Sequence, residues 1–162
     1  IWRGPMVISA IKTMTQKVLW KDRDVIIIDM PPGTGDTQLT FAQEIEVNGA
    51  IIISTPQEIA LQDVKRGIRM FDKLKVKIFG LIDNMSYFIG DDGKKYGIFG
   101  EGGVKKTAKE FNKNFLGEIP ISPKVGKCGD EGMPIVEKDP NNEISKIYLD
   151  LANKIKFEYI ND

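Results

Sequence analysis

The feature that most constrains this chain is the run Val25-Ile26-Ile27-Ile28-Asp29, followed at once by Met30-Pro31-Pro32-Gly33-Thr34-Gly35-Asp36. Four consecutive large apolar residues predict a strand buried on both faces, a feature of parallel sheets covered by helices and not of half-exposed antiparallel ones. Open α/β sheets bind ligands in the crevice outside the carboxyl ends of their strands, so a carboxylate closing such a strand points into that crevice. The prolines stiffen the turn and remove two backbone donors, while Gly33 and Gly35 let the main chain approach a phosphate closely. The plainer alternative is that Asp29 caps a helix beginning near Thr37. The Pro-Pro-Gly-Thr-Gly-Asp context favours the ligand-facing reading.

Helices and buried strands alternate along the remaining chain. Pro5 suits a helix start, and Val7, Ile11, Met14 and Val18 follow at helical spacing, predicting a face packed on the sheet. A short helix over about 37–45 precedes a strand over 50–54, whose three isoleucines predict full burial. Pro56 opens a helix striped by Leu61, Val64, Ile68 and Phe71, and a strand over 76–82 leads to Asn84. Gly90-Asp91-Asp92-Gly93 reads as a tight turn in a hairpin or flap. A helix with Val104, Ala108, Phe111 and Phe115 on one side follows. A strand over 116–119 then runs into Pro120-Ile121-Ser122-Pro123, and Asn142 caps a terminal helix striped by Ile144, Ile147, Leu151 and Ile155. The alternation predicts a doubly wound α/β fold, a mostly parallel sheet flanked by helices, in a single domain over 1–162.

Composition removes several function classes. With 162 residues, 41% hydrophobic and 28% charged, the chain can bury a core. Its 23 basic and 23 acidic residues argue against a general nucleic-acid or membrane-surface binder. A single cysteine, Cys128, excludes an internal disulfide framework and fits a reducing compartment, the cytoplasm, and no signal peptide or spanning segment is read. With no histidine, imidazole catalysis and histidine metal sites are excluded within these residues, leaving carboxylates, lysines, backbone amides and metal-bound water.

The 29–36 segment does not stand alone. Together with Trp2-Arg3-Gly4-Pro5-Met6, Asn84-Met85-Ser86-Tyr87-Phe88, Phe99-Gly100-Glu101-Gly102-Gly103 and Gly117-Glu118-Ile119-Pro120-Ile121-Ser122-Pro123, it resembles the Mrp or ApbC type of iron-sulfur carrier ATPase. These belong to the deviant-Walker P-loop class that also contains MinD and ParA. The resemblance runs along nearly the whole chain in the family's order. It implies ATP and magnesium as cofactors, with Asp29 as the catalytic acid that organises the metal and Pro32, Gly33, Thr34 and Gly35 in the loop facing the γ-phosphate. It further implies that Asn84 hydrogen-bonds the adenine edge and that Pro120 and Ser122 lie beside the base. As partners it implies a second copy in a homodimer, with Trp2-Arg3 near the contact, and iron-sulfur client or assembly proteins. A MinD- or ParA-like positioning ATPase is the rival, expected to show a membrane helix or a basic DNA patch; neither is read here.

Two parts of the family pattern are missing. No Gly-x-x-x-x-Gly-Lys-Ser/Thr occurs, and the nearest imitation, Gly100-Glu101-Gly102-Gly103-Val104-Lys105-Lys106-Thr107, has Lys105 where the second glycine belongs. That stretch reads as a turn and a helix start. The chain therefore resembles the C-terminal part of a family member, and a start at Ile1 is consistent with an excerpt or truncated product. Relatives that handle clusters place Cys-x-x-Cys shortly after Asn-Met-Ser-Tyr-Phe, where Asp91 and Asp92 stand here. Asp91 and Asp92 are read as a solvated turn and Cys128 as an ordinary partly buried residue, so an iron-sulfur cluster held in the usual way is not expected. The two absences favour a third reading, a non-catalytic remnant that contacts a partner.

Overall fold

The computed structural model describes residues 4–30 and 36–159. Its helices are α1 (Gly4–Gln16), α2 (Asp36–Glu44), α3 (Glu58–Lys73), α4 (Gly103–Glu110), α5 (Pro123–Asp130), α6 (Ile135–Lys138) and α7 (Glu143–Tyr159). The strands are β1 (Ala50–Ser54), β2 (Ile78–Asn84), β3 (Phe88–Ile89), β4 (Lys95–Tyr96) and β5 (Phe115–Ile119). β1, β2 and β5 form one sheet in the order β1-β2-β5 with both pairings parallel, and β3 pairs with β4 as an antiparallel hairpin. A tight turn cannot join parallel neighbours, so α3 and then α4 carry the chain back between successive strands.

Both faces of the sheet are covered at its central strand, β2. Leu61, Val64 and Ile68 of α3 and Val104 and Ala108 of α4 meet Leu81 of β2 in one buried cluster. On the other face Ile82, Leu116 and Ile119 meet Leu151 of α7, with Ile147 and Ile155 packed alongside. Successive strand residues point to opposite faces, so Leu81 and Ile82 serve different layers. Burying each such side chain contributes about 1.5–3 kcal/mol. Gly80 lets β5 approach, since a Cβ there would lie 2.6 Å from Leu116 Cγ and 2.8 Å from the Asn114 carbonyl oxygen. The expected doubly wound arrangement is present.

The predicted helices over 37–45, after Pro56 and at the C-terminus are found within a few residues of their expected ends, whereas the one around Val104 stops at Glu110, and Phe115, expected on its stripe, opens β5. Asn142 caps the last as expected, its Oδ1 accepting the Ile144 N–H at 3.0 Å. Helices α5 and α6 were not foreseen. Pro123 stands in the first turn of α5, and the Ser122 side chain caps it. The buried Ser145 hydroxyl, 3.1 Å from the Ile135 carbonyl and 2.7 Å from that of Asp139, ties α6 to α7.

Three expectations need correction. Residues 25–30 form no strand, and Val25, Ile26 and Ile27 are exposed, Ile27 to 89%. A strand is made by backbone pairing, and among the described residues none pairs with this segment, so apolar character alone does not order it. β1 is not fully buried either: Ile53 is 59% exposed and Ile51 is also exposed, because β1 is an edge strand with β2 as its one partner among the described residues. Lastly, α1 does not lay its apolar face on the sheet. It packs on α2, joined to it by the Lys12–Glu44 ion pair, and leaves Met6 and Met14 exposed.

One polar row crosses the sheet near its carboxyl edge. Ser54, Asp83 and Glu118 are register partners on β1, β2 and β5. Asp83 is 1% exposed, and neither carboxylate oxygen has a hydrogen-bond partner among the described residues. Burial chiefly, and the charge of Glu118 secondarily, push its pKa from 3.8 up to about 6. In the unfolded chain the carboxyl ionises at lower pH than in the fold, so the folded state binds more protons between about pH 4 and 6. Stability therefore falls as pH rises through that window and is level above it, a loss of about 3 kcal/mol at most from this group. Asp83→Asn should raise stability near neutral pH by about 1–3 kcal/mol and abolish this decline. Urea unfolding on either side of the window measures it, and equal destabilisation at both pH values would refute the assignment.

Candidate functional site

Parallel pairing places the carboxyl ends of β1, β2 and β5 on one edge, where three loops begin. After β1 comes Thr55-Pro56-Gln57, with Pro56 buried and the Thr55 hydroxyl 3.4 Å from Gln57 Oε1. β2 closes on Asn84, half-buried and in register with Ile119 of β5, one residue before Pro120. Met85 then takes a left-handed conformation, φ 56°, which turns the chain sharply out of the strand.

The loops after β2 and β5 are bonded to each other. The Ser86 N–H donates to the Ile119 carbonyl at 3.0 Å, and its hydroxyl donates to the same oxygen at 3.2 Å. Ile121 N–H donates to the Tyr87 carbonyl at 2.8 Å. These bonds hold open a depression of about 330 Å³ whose walls include Tyr87, Phe88, Pro120, Ile121, Ser122 and Asn142. Mostly apolar walls with a few polar groups suit a flat ring bearing polar edge atoms. The Ser122 side chain accepts the Lys124 N–H at 3.2 Å as the α5 cap, which leaves its hydroxyl proton to donate.

Of the residues singled out from sequence, Pro120 and Ser122 thus share one depression, while Asn84 is not among its walls and stands in register with Ile119, one residue before Pro120. Asp29 is exposed on the irregular stretch 25–30, and α2 begins at Asp36, so Asp29 is not the cap of that helix. Pro32, Gly33, Thr34 and Gly35, with Trp2 and Arg3, lie outside the described residues. Tyr87, Phe88 and Asn142 were not assigned to the site beforehand. The aromatic pair Tyr87-Phe88, three residues beyond Asn84, was the signal available for two of them.

The hairpin between β3 and β4 behaves as a self-contained turn. Asp92 Oδ1 accepts the Lys94 N–H at 3.0 Å, and Oδ2 accepts the Tyr96 hydroxyl at 2.9 Å. Those bonds, the Lys94 amide first and the Tyr96 hydroxyl second, hold the Asp92 carboxyl below its usual range, and the same bond raises the Tyr96 phenol. Gly93 supplies the left-handed position, φ 75°. Cys128 is more deeply placed than foreseen, 2% exposed within α5. Among the described residues no group of three or more histidine, cysteine or acidic side chains is arranged to hold a metal, and no helix is long and apolar enough to cross a membrane.

The chain and its fold have clear counterparts. The chain is 46% identical over 156 residues to an Arabidopsis thaliana "iron-sulfur protein required for NADH dehydrogenase, mitochondrial", covering 96% of this chain and 50% of the relative. It is 44% identical to the Dictyostelium discoideum "iron-sulfur cluster transfer protein NUBPL", covering all of this chain and 51% of that one. It is likewise 44% identical to the Escherichia coli K12 "iron-sulfur cluster carrier protein", covering 96% and 42%. The chain thus spans about half the length of the curated relatives it matches. Among solved structures, a nucleotide-binding protein from Archaeoglobus fulgidus in complex with ADP superposes with a TM-score of 0.74 at 33% identity, covering 87% of this chain and 57% of that one. The cell division ATPase MinD of Pyrococcus furiosus superposes with a TM-score of 0.67 at 20% identity, covering 96% and 59%, a likeness of fold alone. The family model described as "ParA: NUBPL iron-transfer P-loop NTPase" matches residues 1–156, and the chain belongs to that family.

Proposed function

We propose that this chain forms the base-binding side of an ATP-dependent iron-sulfur cluster carrier of the Mrp type, which acts as a cytoplasmic homodimer on iron-sulfur client or assembly proteins. The observation that carries the reading is the depression bounded by Tyr87, Phe88, Pro120 and Ile121 beside Asn84, at the carboxyl edge of the sheet. Its size and apolar walls fit a purine ring. The Asn84 amide would bond the base edge, and the Ser122 hydroxyl would donate beside it. ADP in the Archaeoglobus relative supports a nucleotide as the ligand.

Asp29 is the side chain proposed to organise magnesium, with the main chain over 32–35 facing the phosphates. Magnesium would supply neutralisation of charge on the phosphate oxygens. The exposed carboxylate of Asp29 is an oxygen donor of the hard type that this cation takes. What these residues do not contain is a glycine-rich loop with its lysine, whose amides and charge supply most of the electrostatic stabilisation in phosphoryl transfer.

A second reading, a non-catalytic form that only contacts a partner, is favoured by the hairpin. Where cluster-handling relatives are expected to carry two thiols, this chain has a turn whose Asp92 is committed to Lys94 and Tyr96. The positioning-ATPase alternative draws on the MinD likeness, which is one of fold.

Three outcomes test the proposal. The purified chain with magnesium and ATP should release no phosphate beyond an Asp29→Ala control, and turnover above that control would refute the dependence on a separate phosphate loop. In a longer protein that includes such a loop, Asp29→Asn should lower ATPase activity by about a hundredfold or more while leaving the melting temperature in place. A parallel fall in both would make Asp29 structural. Anaerobic reconstitution with iron and sulfide should leave no stable cluster on the desalted chain, because two copies offer only two buried Cys128 thiols where common clusters take about four ligands. Stoichiometric iron that survives Cys128→Ser would show other ligands at work and overturn that expectation.

A further inference from the structure

The chain carries no net charge, yet one groove collects lysines without acids. It lies between the outer face of α4 and the start of β5, about 590 Å³ in volume, with Lys105, Lys106, Lys109 and Lys113 around it and Ala108 and Phe115 among its lining. Helical spacing produces the arrangement. Positions 105, 106, 109 and 113 are three or four apart or adjacent, so they share one flank of α4 and its exit, while Val104 and Ala108 turn to the core.

Two acids near this flank are already paired, one of them with the groove's own Lys113. Glu110 pairs with Lys65 of α3 at 3.0 Å, and Asp72 of α3 pairs with Lys113 at 2.6 Å. Glu101 lies against Gly97, where an added Cβ would be 2.9 Å from its Oε1. Lys105, Lys106 and Lys109 are exposed and have no carboxylate within ion-pair distance among the described residues. The Lys105 ammonium sits 5.8 Å from the centre of the Phe115 ring, over the floor of the groove. Like charges gathered on one helix flank repel one another at a small cost in stability, so the fold alone does not favour their grouping.

We propose that this groove is a docking surface for an acidic segment of a partner protein, one that carries an apolar side chain to lie against the half-buried Phe115 at its floor. Charge complementarity supplies the steering, and the apolar floor supplies the anchor that a salt-screened surface lacks. A single-stranded nucleic acid fits less well, since such ligands stack successive bases on several aromatic side chains and Phe115 is the one aromatic among the residues lining the groove. The inference concerns a different face from the nucleotide depression and does not depend on it.

The test uses the purified chain without nucleotide and three labelled probes read by fluorescence anisotropy. These are a short Asp/Glu peptide with one central leucine, the same peptide with that leucine replaced by serine, and a single-stranded RNA of similar charge. The leucine peptide should bind in a salt-sensitive manner and several-fold more tightly than the serine peptide. Lys106→Glu/Lys109→Glu should weaken it by about tenfold or more, the effect expected from reversing two charges at the rim of an interface. Lys127→Glu/Lys146→Glu, an equal change of net charge at exposed lysines on α5 and α7, should leave it within about twofold, since screening confines exposed charges to short range. Circular dichroism melting confirms that each variant is folded. Equal binding of the leucine and serine peptides, equal loss in the two charge-reversal variants, or tighter binding of the RNA through the same lysines would each overturn the proposal.

Discussion

Backbone pairing of β2 with a parallel neighbour on each side is the interaction on which the rest of this structure depends. Asn84, Ser54 and Ile119 come to one edge because their strands run in the same sense, and no local turn could bring them there. The same pairing obliges α3 and α4 to cross one face and leaves the other to α7. A strand so enclosed must be apolar on both sides, and β2 is, up to the point where Asp83 interrupts it.

Asp83 shows what the enclosure costs. Its neighbours at 81 and 82 are stabilised by leaving water, whereas a carboxyl in the next position loses its hydration and gains no donor among the described residues. The pKa displaced to about 6 is the measure of that loss. Glu118, in register on β5, makes the position harder to ionise. Beyond this residue the strand opens into polar loops, where Ser86 and Tyr87 supply hydrogen bonds that keep the edge in shape.

The same physics separates the two isoleucine runs. Ile52 of β1 packs against the core cluster formed by α3, α4 and β2, while Ile51 and Ile53 on the alternate face remain exposed. Residues 25–28 have no strand beside them among the described residues, and they stay irregular and open to water. Apolar surface is worth burying only where another surface is present to bury it against. The exposed sulfur-bearing side chains of α1, a helix that packs on α2, follow the same rule.

Much of the fold was legible in the residues themselves. Helical stripes such as Leu61, Val64 and Ile68, Pro5 in the first turn of α1 and the Asp-Asp-Gly turn depend on local spacing and backbone geometry, and each was realised, whereas Pro56 stands before the Gln57 cap of α3. The motif run from Asp29 to Ser122 likewise pointed to the family that the comparisons support. Local signals missed α5 and α6, whose ends are set by the Ser122 cap and by Ser145 reaching across from α7. They also could not say which apolar strand would be covered, because an isoleucine run carries no information about its neighbours. Chemical type and periodicity were determined by the sequence, whereas burial, the displaced Asp83 carboxyl, the depression beside Asn84 and the lysine groove on α4 were decided only when tertiary packing set distant segments side by side.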